Sequence, residues 1–306
     1  MKNFSMRRKK IILITLIMLV IVAAGLFALK QLRGHGYFSA AKNYLHYYMN
    51  KPDFSQYEPL VEDEDAWYQK QAYIAHALGG IEQQDYTNSL EAFQLAYKNG
   101  FKVFEVDFAV TSDGQVVCAH DFVDFGDVVP DYSTFMNQKI SGQYTPLDMQ
   151  GLIDLLYENE DIYLMTDFKW DNSLGSNNHD VEIIMSSLIA CIEERQDESL
   201  YDRMIIQIYS EDNFRLIESY HQFSNYVYTL YNYAYPIYDE IAAFCLENQI
   251  AVVTMSADRA TDEHVALFEQ WNIKVFSHTI NTKEEATQQF QNGVKGIYTD
   301  WLLPTE

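Results

Sequence analysis

Short runs of β-branched and aromatic residues alternate with helical patterns from residue 73 to the end of the sequence. The runs predict strands at 73–76, 101–108, 162–168, 204–209, 226–231, 250–256, 273–278 and 296–299. The patterns between them predict helices at 89–99, 147–158, 181–194, 236–247, 261–271 and 283–292. Strands that alternate regularly with helices of about 10 to 15 residues are typical of parallel β-α units.

Eight strands in about 235 residues fit an α/β fold, the (β/α)8 TIM barrel. An open doubly wound sheet is the structural alternative. The dinucleotide-binding form of that sheet has no support, because no GxGxxG sequence follows an early strand.

One apolar run, 115–120, does not fit the alternation. It follows an Asp-Gly pair, and Asp-Gly between apolar runs is a strong hairpin signal. An antiparallel return about that turn would place His120 roughly opposite Glu105 or Val106.

The N-terminal segment predicts a membrane anchor. Residues 11–29 form a run of 19 apolar or small residues, apart from Thr15, and a helix of this length spans roughly 28 Å, close to the hydrocarbon thickness of a bilayer. A cleaved signal peptide, the alternative, would have a shorter run followed by a small-x-small site. Because a basic cluster at 7–10 precedes the run, the positive-inside rule leaves the N-terminus cytoplasmic and residues 34–306 extracytoplasmic.

These patterns divide the chain into three parts. Residues 1–33 are the basic cytoplasmic tail and single transmembrane anchor, residues 34–71 a juxtamembrane spacer, and residues 72–306 the TIM barrel. The spacer contains an aromatic-rich stretch at 37–49, which fits a short helix near the membrane interface.

Charge follows the same division. The net charge is −23, yet residues 1–33 carry seven basic residues and no acidic one, so the remainder holds 14 basic and 44 acidic residues, a formal charge of −30. Such an acidic surface excludes nucleic acid as a partner. With 48% hydrophobic and 15% aromatic residues the chain is not disordered. The sequence identifies no protein partner.

Polar residues gather where the predicted strands end, which is where barrel active sites lie. Glu105 and Asp107 lie two apart on one strand, so alternation sends both side chains to the same face. With Asp167 at the end of the next barrel strand, they make an oxygen-rich cluster suited to Ca²⁺ or Mg²⁺. Taken alone, the Glu-x-Asp pair is more simply interpreted as part of an exposed strand face that binds no ion.

Two histidines and a lysine accompany the carboxylates. His76 ends the first strand, and His120 returns on the hairpin. Histidines at such positions could exchange protons near neutral pH, whereas Lys169 could complement an anionic substrate. Each residue alone also fits a structural role; their convergence at strand ends is what favours a site.

Taken together, these residues resemble the glycerophosphodiester phosphodiesterases, relatives of bacterial phosphatidylinositol-specific phospholipase C. The pattern of that family is His-Arg, then Glu-x-Asp, then His, on a barrel. The matching segments are IAHALGG at 74–80, the stretch 87–121, TDFK at 166–169, KVFSHTIN at 274–281 and GVKGIYTD at 293–300. The resemblance covers essentially all of residues 72–306.

The resemblance implies a metal-dependent phosphoric diester hydrolase that cleaves small glycerophosphodiesters or related lipid or polyol-phosphate headgroups. It implies attack by a neighbouring substrate hydroxyl and a cyclic phosphate intermediate. The implied roles are general acid and base for His76 and His120, Ca²⁺ or Mg²⁺ ligands for Glu105, Asp107 and Asp167, and a phosphate contact for Lys169.

The sequence departs from the family pattern at three places. Ala77 replaces the Arg that follows the first His, residues 86–89 read YTNS where the family reads Pro-Glu-Asn-Thr, and Asp167 replaces a Glu. These changes leave open a barrel that has lost catalysis and serves as a tethered binding or assembly module. A glycoside hydrolase would also use paired carboxylates, but it gives no reason for the two histidines and the lysine.

Overall fold

The computed structural model describes residues 51–168, 178–230 and 238–304. Residues from Phe54 onward belong to one compact unit. The predicted anchor at 11–29, the predicted interfacial helix at 37–49 and Lys169 lie outside the described residues. Within those described ranges, no helix is both long and apolar enough to cross a membrane.

Nine strands occur in the described part of the chain. They are β1 Tyr73–Ala75, β2 Val103–Val110, β3 Val116–Cys118, β4 Tyr163–Phe168, β5 Met204–Ile208, β6 Tyr226–Thr229, β7 Val252–Ser256, β8 Lys274–His278 and β9 Gly296–Thr299. Their positions confirm the predicted strands to within a few residues. The first differs at its end, because His76 follows the strand in a short 3-10 turn, His76–Leu78.

Eight of these strands pair in parallel and close on themselves. The order around the sheet is β1-β9-β8-β7-β6-β5-β4-β2, and β1 also pairs with β2. This closure confirms the (β/α)8 barrel and excludes the open sheet. The remaining strand, β3, pairs antiparallel with β2 through Phe108 and Cys118. The amide of Ala119 then donates to the Asp107 carbonyl, so His120 reaches the level of Val106, as the hairpin signal predicts.

Helices lie between the strands and in the loops. They are α1 Trp67–Lys70, α2 Leu90–Lys98, α3 Tyr132–Asn137, α4 Met149–Glu158, α5 Asn178–Arg195, α6 Glu211–Glu218, α7 Tyr238–Glu247, α8 Asp262–Glu269 and α9 Lys283–Gln291. Several begin at a side-chain cap, as in α2, where the Ser89 hydroxyl accepts from the Ala92 amide. The caps set where each helix starts and therefore how long each strand-to-helix loop is.

The barrel interior is filled by one side chain from each parallel strand. This layer consists of Ile74, Val103, Met165, Ile205, Val227, Val252, Phe276 and Tyr298. Because side chains alternate along a strand, Glu105 and Asp107 share the inward face with Val103, and Asp167 shares it with Met165. The three carboxylates thus lie above an apolar floor, toward the carboxyl ends of the strands.

Packing of the barrel begins before residue 72. Trp67 of α1 is only 2% exposed and joins the interior layer, with its ring 5.5 Å from that of Phe276. Farther upstream, the Leu60 amide donates to the Trp271 carbonyl. The second half of the segment predicted as a spacer therefore packs as part of the barrel unit.

Candidate active site

Three carboxylates meet at the carboxyl end of β2 and β4. In the register between β2 and β4, Asp107 lies directly beside Asp167. Because side chains alternate along β2, Glu105 shares the inward face with Asp107. Each offers an oxygen within 4.8 Å of those of the other two. Glu105 is 2% exposed and Asp107 is 1% exposed, so the predicted cluster forms and most of it is removed from water.

The carboxylate cluster has the chemistry of a cation site. Burial, reinforced by the nearby charges of Asp107 and Asp167, raises the pKa of Glu105 to about 8. The Glu105 Oε1 atom is buried and has no hydrogen-bond partner among the described residues. An oxygen-only donor set suits a hard divalent cation, and such an ion would relieve both the repulsion and the unsatisfied oxygen. The residues present therefore fit the predicted Ca²⁺ or Mg²⁺.

One oxygen of Glu105 and one oxygen of Asp107 accept hydrogen bonds from backbone and amide groups. The Ala77 amide donates to Glu105 Oε2 at 2.7 Å, and Ala77 reaches that position with a left-handed φ of 49°. Asn88 makes two bonds with Asp107, since its Nδ2 donates to Oδ2 at 2.8 Å and its Oδ1 accepts from the Asp107 amide at 3.0 Å. These contacts fix which oxygens face the cavity.

His76 is oriented by a carboxylate from the last strand. Its Nδ1 lies 2.8 Å from Asp300 Oδ1, and its Nε2 lies 4.0 Å from Glu105 Oε2. Asn281 donates to the second Asp300 oxygen at 2.7 Å. Burial opposes protonation of His76, but the Asp300 hydrogen bond and the charges of Glu105, Asp300 and Asp107 outweigh it and raise the pKa of His76 to about 9.

Replacing Asp300 tests whether it positions His76. We expect Asp300→Asn to lower kcat by about 10- to 100-fold, the usual cost of losing a partner that orients a functional group, while KM changes little. The amide can still accept from His76, yet it no longer stabilises a positive ring. Steady-state kinetics measure the changes in kcat and KM separately. The control is Asp262→Asn, on the exposed first turn of α8. A purely structural role for Asp300 would instead lower the melting temperature without the selective loss of kcat.

His120 follows β3, which forms a hairpin with β2, and lines the same cavity as Glu105 and Asp167. Its Nδ1 lies 3.0 Å from Asp121 Oδ2, and its side chain is 37% exposed. A carboxylate can only accept, so Nδ1 carries the proton and Nε2 of the neutral ring is an acceptor. Asp121 thus prepares His120 to take a proton.

One cavity of about 190 Å³ connects these groups and is lined by both histidines, Glu105 and Asp167. Sequence analysis missed three further residues at this site, Tyr86, His278 and Asp300. His278 is the last residue of β8, and Asp300 directly follows β9. The same strand-end signal that marks His76 could therefore have found both. Burial, with the nearby charges of His76 and Arg259, lowers the pKa of His278 to about 4, so His278 is neutral at physiological pH.

A closed barrel with two carboxylate-oriented histidines beside an acidic cluster defines an acid–base enzyme of the TIM-barrel type. The family model of the glycerophosphoryl diester phosphodiesterases matches residues 80–302. This match covers well over half of the chain, so the chain belongs to that family and is a phosphoric diester hydrolase. The match begins after His76, so the structure rather than the match places this histidine in the site.

Solved structures share the fold. An Oleispira antarctica phosphodiesterase in complex with the product sn-glycerol-3-phosphate is 16% identical, with a TM-score of 0.61 over 76% of this chain and 95% of that one. A glycerophosphodiester phosphodiesterase from Parabacteroides distasonis is 15% identical, with a TM-score of 0.60 over 76% and 93% of the two chains. The corresponding protein from Thermotoga maritima is 16% identical, with a TM-score of 0.54 over 75% and 94%. Among curated proteins, none matches the chain.

Proposed function

We propose that the protein is a metal-dependent, membrane-anchored and extracytoplasmic phosphodiesterase that cleaves glycerophosphodiesters or related lipid or polyol-phosphate headgroups. The observation that carries this proposal is the pair of histidines, each bound through Nδ1 to its own carboxylate and both lining the cavity that contains Glu105 and Asp167. Two proton-transferring groups on one cavity are what displacement at a phosphodiester requires.

The hydrogen bonds of the two histidines support a different role for each in this proposal. His120 takes the proton of the attacking substrate hydroxyl on Nε2, because Asp121 holds its Nδ1 proton. His76 gives its Nε2 proton to the leaving alkoxide, because Asp300 stabilises the positive ring. This step leaves a cyclic phosphate, which a water molecule then opens to glycerol phosphate as the two histidines transfer protons in the reverse direction. Glu105, Asp107 and Asp167 would hold a divalent cation, which would supply positive charge that stabilises the reacting phosphate and lowers the pKa of the attacking hydroxyl. Lys169 is proposed as the phosphate contact.

The carboxylate geometry favours catalysis over a silent barrel. Asp167 is one methylene shorter than the family Glu, yet its oxygen lies within 4.8 Å of the other ligand atoms. Although Ala77 lacks the guanidinium of the family Arg, its amide still holds Glu105. Neither departure breaks the site.

The activity is tested with the full chain in detergent micelles. Release of sn-glycerol 3-phosphate from simple glycerophosphodiesters is measured with Ca²⁺, with Mg²⁺ and with EDTA. Turnover that requires a cation supports the proposal. Absence of turnover on every diester, together with absence of one-site cation binding in calorimetry, supports the silent binding module instead.

The anchor and orientation rest on residues 1–33 alone, where 19 apolar or small residues, apart from Thr15, follow a basic cluster. External protease on intact cells measures the orientation. An extracytoplasmic barrel is digested without lysis, whereas protection until lysis would show that the barrel faces the cytoplasm.

A further inference from the structure

His278 lies in the part of the barrel wall that faces the carboxylate cluster. In the closed order of eight parallel strands, β8 is four strands from β4 in either direction. His278 follows Phe276 of the apolar floor by two positions, as Asp167 follows Met165, so both side chains point inward from opposite strands. Both line the same cavity.

The wall around His278 carries hydrogen-bonding groups but no charge. The cavity-lining side chains on this side are Gln207, Thr229, His278, Thr279 and Tyr298. The Tyr298 hydroxyl donates to Gln207 Oε1 at 3.2 Å, and Gln207 Nε2 donates to the Tyr209 hydroxyl at 3.2 Å. These two donors are used within the wall and hold its shape.

The proposed proton-transferring histidines occupy a different side of the cavity, together with Tyr86. The centroid of the Tyr86 ring lies 4.8 Å from that of His76 and 4.3 Å from that of His120. The attacking and leaving oxygens of a diester must lie within reach of these histidines. The two non-bridging oxygens of its phosphate then point toward the other walls, one with the carboxylates and one with His278.

A phosphate in this cavity needs a hydrogen-bond donor on the side away from the carboxylates. Among the residues that line the cavity in the described part of the chain, none is a lysine or an arginine. Ala77 stands where the family pattern has an arginine, and Arg259 donates to the Leu230 carbonyl at 2.6 Å. A buried anionic oxygen without a donor is costly, so the wall opposite the carboxylates must supply one.

A neutral histidine suits this position. In a neutral imidazole one nitrogen carries a proton and donates it, while the other accepts. His278 can therefore bind a phosphate oxygen without placing a second positive charge near His76, whose ring Asp300 already holds positive. The edge-to-face contact between His278 and Tyr298, whose ring centroids are 5.9 Å apart, orients the imidazole within the wall.

We propose that His278 is a phosphate-binding residue that donates its imidazole N–H to the non-bridging oxygen facing away from the carboxylate cluster. This inference rests on the proposed phosphodiesterase function and adds a substrate contact to that site, beside the one proposed for Lys169. His76 and His120 exchange protons with the reacting oxygens. His278 instead stabilises the negative charge on an oxygen that keeps its bonds to phosphorus and hydrogen unchanged throughout the reaction.

The test measures phosphate binding without turnover. Calorimetry on the full chain in detergent micelles with Mg²⁺ gives the Kd of inorganic phosphate and of sn-glycerol 3-phosphate. His278→Phe keeps an aromatic ring in the wall but removes the donor. It should raise both Kd values about 10- to 100-fold, the size of a hydrogen bond to a charged group. The matched control, His221→Phe, changes a ring that stacks on Tyr201 outside the cavity and should alter neither Kd.

Two polar variants separate a hydrogen bond from packing. Asparagine and glutamine place an amide N–H close to the positions of Nδ1 and Nε2 of histidine, respectively. One of His278→Asn and His278→Gln should therefore recover most of the affinity that His278→Phe loses. Equal loss in all three variants would indicate a packing role and overturn the contact. A loss for sn-glycerol 3-phosphate but not for inorganic phosphate would assign His278 to the glycerol instead, and wild-type protein that binds no phosphate would also overturn the proposal.

Nuclear magnetic resonance supplies a direct signature of the bond. In protein with ¹⁵N-labelled histidine, the ring signals of His278 are identified by their absence in His278→Phe, and they should shift when inorganic phosphate is added. Unshifted signals would contradict the contact. Neither measurement requires cleavage, so the contact is supported even where no diester is cleaved, and it is overturned even where diesters are cleaved.

Discussion

His120→Ala is expected to lower kcat by about 10²- to 10⁴-fold, the contribution of one positioned proton-transfer group. The loss has a specific physical cause. Asp121 accepts from Nδ1 of His120, so Nε2 is the free basic atom, and alanine leaves the attacking hydroxyl without a proton acceptor. Because the side chain is 37% exposed, its removal creates no buried cavity. Single-turnover kinetics at saturating substrate measure the chemical step directly.

His76→Asn should cause a loss of similar size through the opposite proton transfer, since asparagine cannot protonate the leaving alkoxide. The double variant should be little worse than either single one, because groups that act as a unit are strongly non-additive. The control is His221→Ala, at the amino end of the barrel where the imidazole stacks on Tyr201 at 3.9 Å. Full activity in either His76→Asn or His120→Ala would refute the two-histidine mechanism.

The sequence predicts the barrel and most of this site for a common reason. Alternation along β2 and β4 decides that Glu105, Asp107 and Asp167 point inward, and both the period of two and the strand boundaries are visible in the residue pattern. The hairpin signal likewise predicts the position of His120. These four positions could be predicted because each depends on a local residue pattern or on a neighbouring strand.

The parts that sequence analysis missed depend on closure and on loop shape. Asp300 binds His76 across 224 positions of sequence, and that contact exists because β9 pairs with β1. Tyr86 reaches both histidines through a left-handed backbone conformation that no residue pattern at 81–88 specifies. The start of barrel packing at residues 54–71 was missed for a similar reason, since Trp67 finds its partners on distant strands.

Removal of divalent cation is expected to abolish activity and to destabilise the fold. Glu105 and Asp107 are buried beside Asp167, and three like charges in a poorly hydrated site repel one another unless a cation or protons neutralise them. A cation bound only by the folded protein adds about 2.7 kcal/mol to the free energy of unfolding at 100 times its Kd. Melting curves of EDTA-treated protein with added Ca²⁺ or Mg²⁺ measure this gain.

The variant Glu105→Gln separates a cation site from a structural acid cluster. Only a cation site predicts that the substitution changes stability in opposite directions without cation and with saturating cation. Its amide oxygen can still accept from Ala77, whereas the glutamine side chain is neutral without taking up a proton or binding a cation. In EDTA we therefore expect the variant to be at least as stable as the wild type; at saturating cation it should be the less stable protein and inactive. Calorimetry should show one site in the wild type, with weaker binding at lower pH because protons compete for the same oxygens. If no divalent cation changes the stability of the wild type, the proposed mechanism does not involve a metal. The carboxylates would then be neutralised by protons alone.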